Sequence, residues 1–205
     1  MVAVQNGPRR NNAELRRAGW TVAGLCSNLG HGLALDWGLR HVDTEYVLIC
    51  DPDTVIVDAA FVDELMPRLQ RYGVCGLVIS DKPEHQYYHP ICTAFRTEFW
   101  KRSDWSMNVD WSRGWDAGTA LTDYLGGVEV EAVLPLTRRS KVHGALWANC
   151  FSNIYGASRA RDTDDDQLDG RPIELVRAYH HRWRAWADEV AAGSAGVDEF
   201  PVTVA

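Results

Sequence analysis

The sequence predicts an α/β protein: a mostly parallel sheet flanked by helices, followed by a C-terminal helix. Three observations carry this. Short apolar runs at 21–26, 45–50 and 74–79 alternate with segments of helical period. The 205 residues are 46% hydrophobic and 24% charged, which suits a packed domain and excludes wholesale disorder. No apolar run approaches the ~20 residues that cross a bilayer, and the opening MVAVQNGPRR turns polar too soon for a secretory leader.

In order, residues 2–5 (VAVQ) read as a strand closed by the turn Asn6-Gly7-Pro8. Residues 11–17 form a short polar helix and 21–26 a buried strand. Leu35, Leu39 and Val42 mark one stripe of a helix over 31–42. Residues 45–50 (EYVLIC) are the clearest buried strand and end abruptly in Asp51-Pro52-Asp53. Phe61, Val62, Leu65 and Leu69 define a helix that Pro67 should kink or break. A buried strand at 74–79, a polar loop at 80–90 and a short strand at 92–95 follow. Then come four tryptophans between 100 and 115, a helix over 117–125 and a strand over 128–134.

Residues 161–170 read as an acidic loop. It resembles a calcium loop only in part, because Gln167 and Ile173 stand where that loop needs Gly and Glu. A helix over 171–192 starts with Pro172 near its first position. Its stripe of Val176, Tyr179, Trp183, Trp186 and Val190 is expected to dock on the body or on a second copy, as a homodimer surface. Residues 193–205 read as a loose tail.

The net charge of -7 argues against nucleic acid as a partner. Of 21 basic residues only Lys82, Lys101 and Lys141 are lysines, as a high-GC coding composition produces. Cys26, Cys50, Cys75, Cys92 and Cys150 are odd in number and form no CxxC, so they read as reduced, buried small hydrophobes of a cytoplasmic protein.

Two segments point to chemistry. Asp51-Pro52-Asp53-Thr54 follows a strand directly, where ligands bind in open parallel sheets. Two carboxylates one residue apart can share a divalent cation, or divide cation and sugar contacts; a plain turn with a helix cap is the other reading. The stretch 28–38 (NLGHGLALDWG) follows a strand and opens a helix. Its glycines permit close backbone approach, and a helix N-terminus can face phosphates. It is not the dinucleotide fingerprint, because GxGxxG is absent.

Together, Asn6-Gly7, the 28–38 segment and Asp51-Pro52-Asp53 resemble the family 2 glycosyltransferases of the GT-A fold, in order and spacing. The resemblance continues through His89-Pro90-Ile91-Cys92-Thr93-Ala94-Phe95-Arg96, similar to a strand bringing a small residue and an Arg near the acceptor, and through Trp115-Asp116-Ala117-Gly118. It covers most of 1–160, implying a catalytic domain there that lacks the first strand–helix unit.

The resemblance implies a metal-dependent, inverting transfer from a nucleotide-diphospho-sugar to an acceptor hydroxyl, on a glycan, a lipid-linked sugar or a small molecule. Asp51 and Asp53 would engage Mn2+ or Mg2+ and the donor, with His143 as third ligand. Gln5, Asn6, Gly7, Asn28, Gly30 and Arg159 would contact the donor. Gln5 stands where the family carries Asp; it can hydrogen-bond a base edge without charge. Asp116 would be the catalytic base; its structural alternative is a cap of the 117–125 helix, and Asp110 and Asp123 are rival carboxylates. Two other readings stay open: a sugar nucleotidyltransferase, or a truncated or degenerate GT-A domain that binds a sugar nucleotide or a partner without turnover.

Overall fold

The computed structural model describes residues 1–7, 12–52, 54–56, 60–78, 86–102, 104–113, 115–134, 136–139, 145–148, 151–154, 167–168 and 171–193. The chain divides into two compact units, one of residues 1–49 and 67–133, the other of residues 50–66 and 134–205.

The first unit opens with β1 (Val2–Asn6), α1 (Ala13–Arg17), β2 (Thr21–Leu25) and α2 (His31–Leu39). β1 and β2 pair in parallel, Val2 opposite Thr21 through Asn6 opposite Leu25. α2 packs against β1, and Ala23 is the buried residue of β2. A two-stranded sheet covers little area, so β1 is only half-buried and β2 is not the fully buried strand expected. α2 carries Gly32 because Met107 leaves no room for a side chain: a Cβ there would meet the Met107 carbonyl oxygen at 2.0 Å.

The expected strands at 45–50 and 74–79 form as β3 (Tyr46–Cys50) and, after β4 (Thr54–Ile56) and α3 (Ala60–Tyr72), as β5 (Val74–Val78). α3 runs unbroken through Pro67, which corrects the expected break. The cost is the Asp63 carbonyl, whose usual i+4 donor Pro67 cannot supply. The boundary between the units falls at the same residue.

β6 (Tyr88–Arg96) is nine residues, longer than the expected 92–95, and is buried from Tyr88 to Phe95. It takes the middle of a three-stranded sheet ordered β3-β6-β5. Pro90 hid its start from the sequence. The ladder with β5 shifts register between Val78, opposite Tyr88, and Gly76, opposite Thr93, and Pro90 lies inside that irregularity, where a missing N–H breaks no regular pairing.

α4 (Thr97–Lys101) and α5 (Thr119–Tyr124) follow in this unit, with a 3-10 turn at Trp111–Arg113 between them. Leu39, Ile49, Val74, Tyr88, Phe95, Met107, Leu121 and Ala132 form its core, with Trp100 and Trp105 packed at the edge. The expected strand at 128–134 is a 3-10 turn, Val130–Ala132, because the Glu129 side chain and carbonyl bond the amides of Glu131 and Ala132. Only Val133 keeps a parallel bridge, to Gly76.

In the second unit β4, β7 (Leu136–Arg139), β8 (Ala145–Ala148) and β9 (Phe151–Ile154) form a sheet ordered β4-β9-β8-β7. β10 (Gln167–Leu168) and β11 (Arg171–Pro172) form a minimal ladder before α6 (Ile173–Ala191). Pro172 is the residue before the helix rather than its first. On α6, Val176, Tyr179, Trp183 and Trp186 are buried, so the stripe docks within the chain; Val190 is half-buried.

The α/β class holds, but the mostly parallel sense does not. Among the described ladders β1–β2 is parallel, and β5–β6, β4–β9, β7–β8, β8–β9 and β10–β11 are antiparallel. β3 also departs from the expected buried strand: Ile49 is buried, whereas Leu48 is 38% exposed and Cys50 is exposed. Cys75 and Cys92 are buried as expected, and Cys26 is exposed; Cys150 lies outside the described residues. Among the described residues, no helix is long and apolar enough to cross a membrane.

Candidate functional site

Asn6, at the carboxyl end of β1, and Asn28, in the loop that follows β2, together hold that second loop. The Asn6 Nδ2 donates to the Asn28 Oδ1 and to the Gly30 carbonyl, each at 2.9 Å. The Leu29 amide donates to the Asn6 Oδ1 at 2.9 Å, and the Gly30 amide to the Asn28 Oδ1 at 2.9 Å. Both asparagine side chains are therefore tied to the loop that precedes α2, with Gly30 at its N-cap. The first intrahelical bond runs from Ala34 N to Gly30 O, and the amides before it point past the helix end. Gly7 follows at the end of β1, buried, and the Gln5 Oε1 accepts from the Asn12 Nδ2. Of the residues expected to contact a donor, the structure thus brings Asn6, Asn28 and Gly30 into one hydrogen-bonded cluster, with Gln5 and Gly7 adjacent in the chain.

Asp116 belongs to the same unit, in the segment leading into α5. Its Oδ1 accepts from the Ala117 amide at 2.7 Å, and its Oδ2 accepts from the Tyr87 hydroxyl at 3.1 Å. Its amide donates to the Thr119 Oγ1 at 3.1 Å. It does not cap α5, which starts at Thr119 with Gly118 as N-cap. The carboxylate is held on both oxygens yet stays only half-buried, so it is not sealed off from solvent.

Tyr87 lies in the stretch the sequence marks as a polar loop. Its ring stacks on His89, centroids 5.7 Å apart, and the His89 Nδ1 accepts from the Ile91 amide at 3.2 Å. The rivals differ. Asp123 is exposed on α5. Asp110 accepts from the Ser112 hydroxyl at 2.6 Å and amide at 3.1 Å, and the Ser112 hydroxyl bond is the chief cause that holds its carboxyl below the usual range.

Arg96, at the far end of β6, is engaged elsewhere: it pairs with Glu45 at 3.3 Å, donates to the Gln70 carbonyl at 3.3 Å and lies over the Tyr46 ring. With Asp43, Glu98, Lys101 and Arg102 it borders a cleft of mixed charge. It stands seven positions beyond His89, about 23 Å along the strand, so it does not share the Asp116 end of β6.

Asp51 falls in the second unit, half-buried, its carbonyl accepting from the Thr54 amide at 3.1 Å. Asp53, His143 and Arg159 lie outside the described residues. Among the described residues no three His, Cys, Asp or Glu side chains cluster as metal ligands. The donor chemistry of two carboxylates and an imidazole nonetheless suits Mn2+, a cation that accepts both oxygen and nitrogen ligands.

Sequence reading missed Tyr87 and also Asp36. Asp36 is buried on α2. Its Oδ1 accepts from the Trp100 Nε1 at 3.2 Å and the Met107 amide at 2.9 Å, and its Oδ2 from the Ser106 hydroxyl. An acidic residue on the buried side of a short helix was the available signal.

No protein-family model matches the chain, and no curated protein matches it. Among solved structures it is similar to the mannosyltransferase PcManGT from Pyrobaculum calidifontis, determined in complex with GDP-Man and Mn2+. The identity is 19%, the TM-score 0.49, and the match covers 94% of this chain and 64% of that one. The chain therefore spans less than two thirds of that protein's length.

Proposed function

We propose that the chain is a GT-A glycosyltransferase resembling family 2, inverting and divalent-cation-dependent, with its catalytic domain within residues 1–160 and a cytoplasmic location. The observation that supports this best is the Asn6–Asn28–Gly30 cluster, which stands at the carboxyl ends of two parallel strands and opens α2. That is where α/β folds take nucleotides, and the sequence places Asp51-Pro52-Asp53 on the next strand end in the order the resemblance requires.

In this reading Asn6, Gly7, Asn28 and Gly30 shape the donor side and Gln5 reaches the base. The N-terminus of α2 offers amides and a partial positive charge to the diphosphate, and Arg159 adds a cation. Asp51, Asp53 and His143 would hold Mn2+ or Mg2+, which when bound offsets charge on the leaving diphosphate. Asp116 removes the proton of the acceptor hydroxyl as that oxygen attacks the anomeric carbon from the face opposite the leaving group. Tyr87 and the Ala117 amide keep the two carboxylate oxygens oriented for this.

Calorimetry and transfer assays with UDP-, GDP- and dTDP-sugars plus Mn2+ test the reading. Asp116→Asn should lower turnover by about 10²–10⁴-fold while nucleotide binding persists, and Asp53→Ala should abolish the response to metal. Undiminished turnover in Asp116→Asn removes the base. Binding with no turnover in the parent chain turns the reading into that of a sugar-nucleotide-binding domain.

A further inference from the structure

A cleft of about 470 Å³ lies in the unit that carries Asp116, within the range of roughly 300–1,000 Å³ usual for small-molecule sites. Asp104, Trp105, Asn108, Asp110, Arg113 and Trp115 border it. Its walls are set by the chain's own bonds. The 110–115 loop closes on itself, with the Asp110 amide donating to the Trp115 carbonyl at 3.0 Å and the Trp115 amide to the Asp110 carbonyl at 2.9 Å. The Arg113 guanidinium lies 3.4 Å from the Trp115 ring centroid and fixes the indole plane. On the other wall, the Trp105 Nε1 donates to the Phe99 carbonyl at 3.0 Å, and Asp36 anchors Ser106 and Met107.

The lining chemistry selects a ligand class. Trp105 and Trp115 give the lining aromatic surface, of the kind that meets the C–H face of a pyranose, and the carboxylates and the Asn108 amide accept from or donate to ring hydroxyls. The charge balance is two carboxylates against one guanidinium, which disfavours a phosphorylated ligand. The aromatic wall is also next in the chain to the carboxylate that would deprotonate an acceptor, since Trp115 immediately precedes Asp116.

We propose that this cleft is the acceptor subsite and takes a neutral sugar ring, which narrows the acceptor to an uncharged saccharide end. The assignment of the sugar as acceptor rests on the transferase reading above; the saccharide cleft itself does not. The test is saturation-transfer NMR on the full chain without any donor. The probes are the methyl glycosides of mannose, glucose, galactose and N-acetylglucosamine, and glucose 6-phosphate as the charged counterpart.

At least one neutral glycoside should bind at millimolar strength, with a Kd raised tenfold or more in Trp115→Ala. Asp104→Asn, on an exposed side chain, should also weaken it while leaving the melting temperature unchanged, which keeps the test meaningful if Trp115→Ala fails to fold. The proposal is overturned if no glycoside binds, if glucose 6-phosphate binds as well as its neutral counterpart, or if Asp104→Asn binds as the parent does. Glycoside binding in a chain that transfers nothing would overturn the transferase reading and leave the sugar cleft standing.

Discussion

Gly118 decides where Asp116 can be. Its φ of +93° lies in the left-handed region, and a Cβ added there would meet the Tyr88 carbonyl oxygen at 2.2 Å. No side chain relieves a collision with backbone, so Gly118→Ala must move either the turn or β6. The expected cost is about 2–4 kcal/mol of stability, read by urea denaturation, and under the proposed transferase reading turnover falls with the displacement of Asp116. The neighbouring Asp110 titrates by a different logic. The Ser112 hydroxyl bond lowers its pKa, so Ser112→Ala should return that carboxyl toward its usual range, a change that NMR titration of the carboxyl carbon reads directly.

At the level of elements, α2 is held from outside itself by the segment at residues 100–107. Gly32 lets it lie directly on the backbone of Met107, and Asp36 accepts three bonds from residues between 100 and 107. Asp36→Ala would leave the Trp100 Nε1 and the Met107 amide without that acceptor in the interior. A loss of roughly 2–4 kcal/mol is expected by denaturant unfolding.

These elements also show what the sequence could and could not reveal. The α6 stripe was legible because Val176, Tyr179, Trp183 and Trp186 repeat at helical spacing on an otherwise polar helix, and all four are buried. The 28–38 segment was legible through its Asn and Gly spacing. Strand direction was not, because alternation of strands and helices says nothing about which way a strand such as β6 enters the sheet. The strands LTRR, ALWA and FSNI carry no clean alternation, so β7, β8 and β9 went unread. The alternating Val-Glu-Val-Glu start of 128–134 misled for a local reason: Glu129 caps its own turn more readily than it extends a strand. Tyr87 could not be read as a partner of Asp116 from a separation of 29 residues.

For the molecule as a whole, Tyr88 sets an alkaline limit. It is fully buried, its hydroxyl donates to the Glu129 carbonyl at 3.3 Å and accepts from the Glu129 amide at 3.0 Å, and burial pushes its pKa up to about 12. An unfolded Tyr loses its proton near pH 10. Above that pH the unfolded chain binds fewer protons than the folded one, so stability is intact below about pH 10 and declines as pH rises toward about 12. Equilibrium unfolding across that window should show the decline, and Tyr88→Phe should lessen its slope even if it lowers stability at neutral pH.

The ladder between β4 and β9 carries a consequence for how the protein is made. Thr54 pairs with Asn153 and Ile56 with Phe151, strands separated by roughly a hundred residues of chain. A ribosome releases β4 long before its partner exists, and a pairing so distant in sequence must pay the entropy of closing a very long loop. Until β9 emerges, the half-exposed Val55 and exposed Ile56 have no ladder of their own, on a nascent chain whose other unit already has all its described strands. Assembly of this molecule is therefore back-loaded: its second unit is finished last, and the window before that is when a holding chaperone would serve it most.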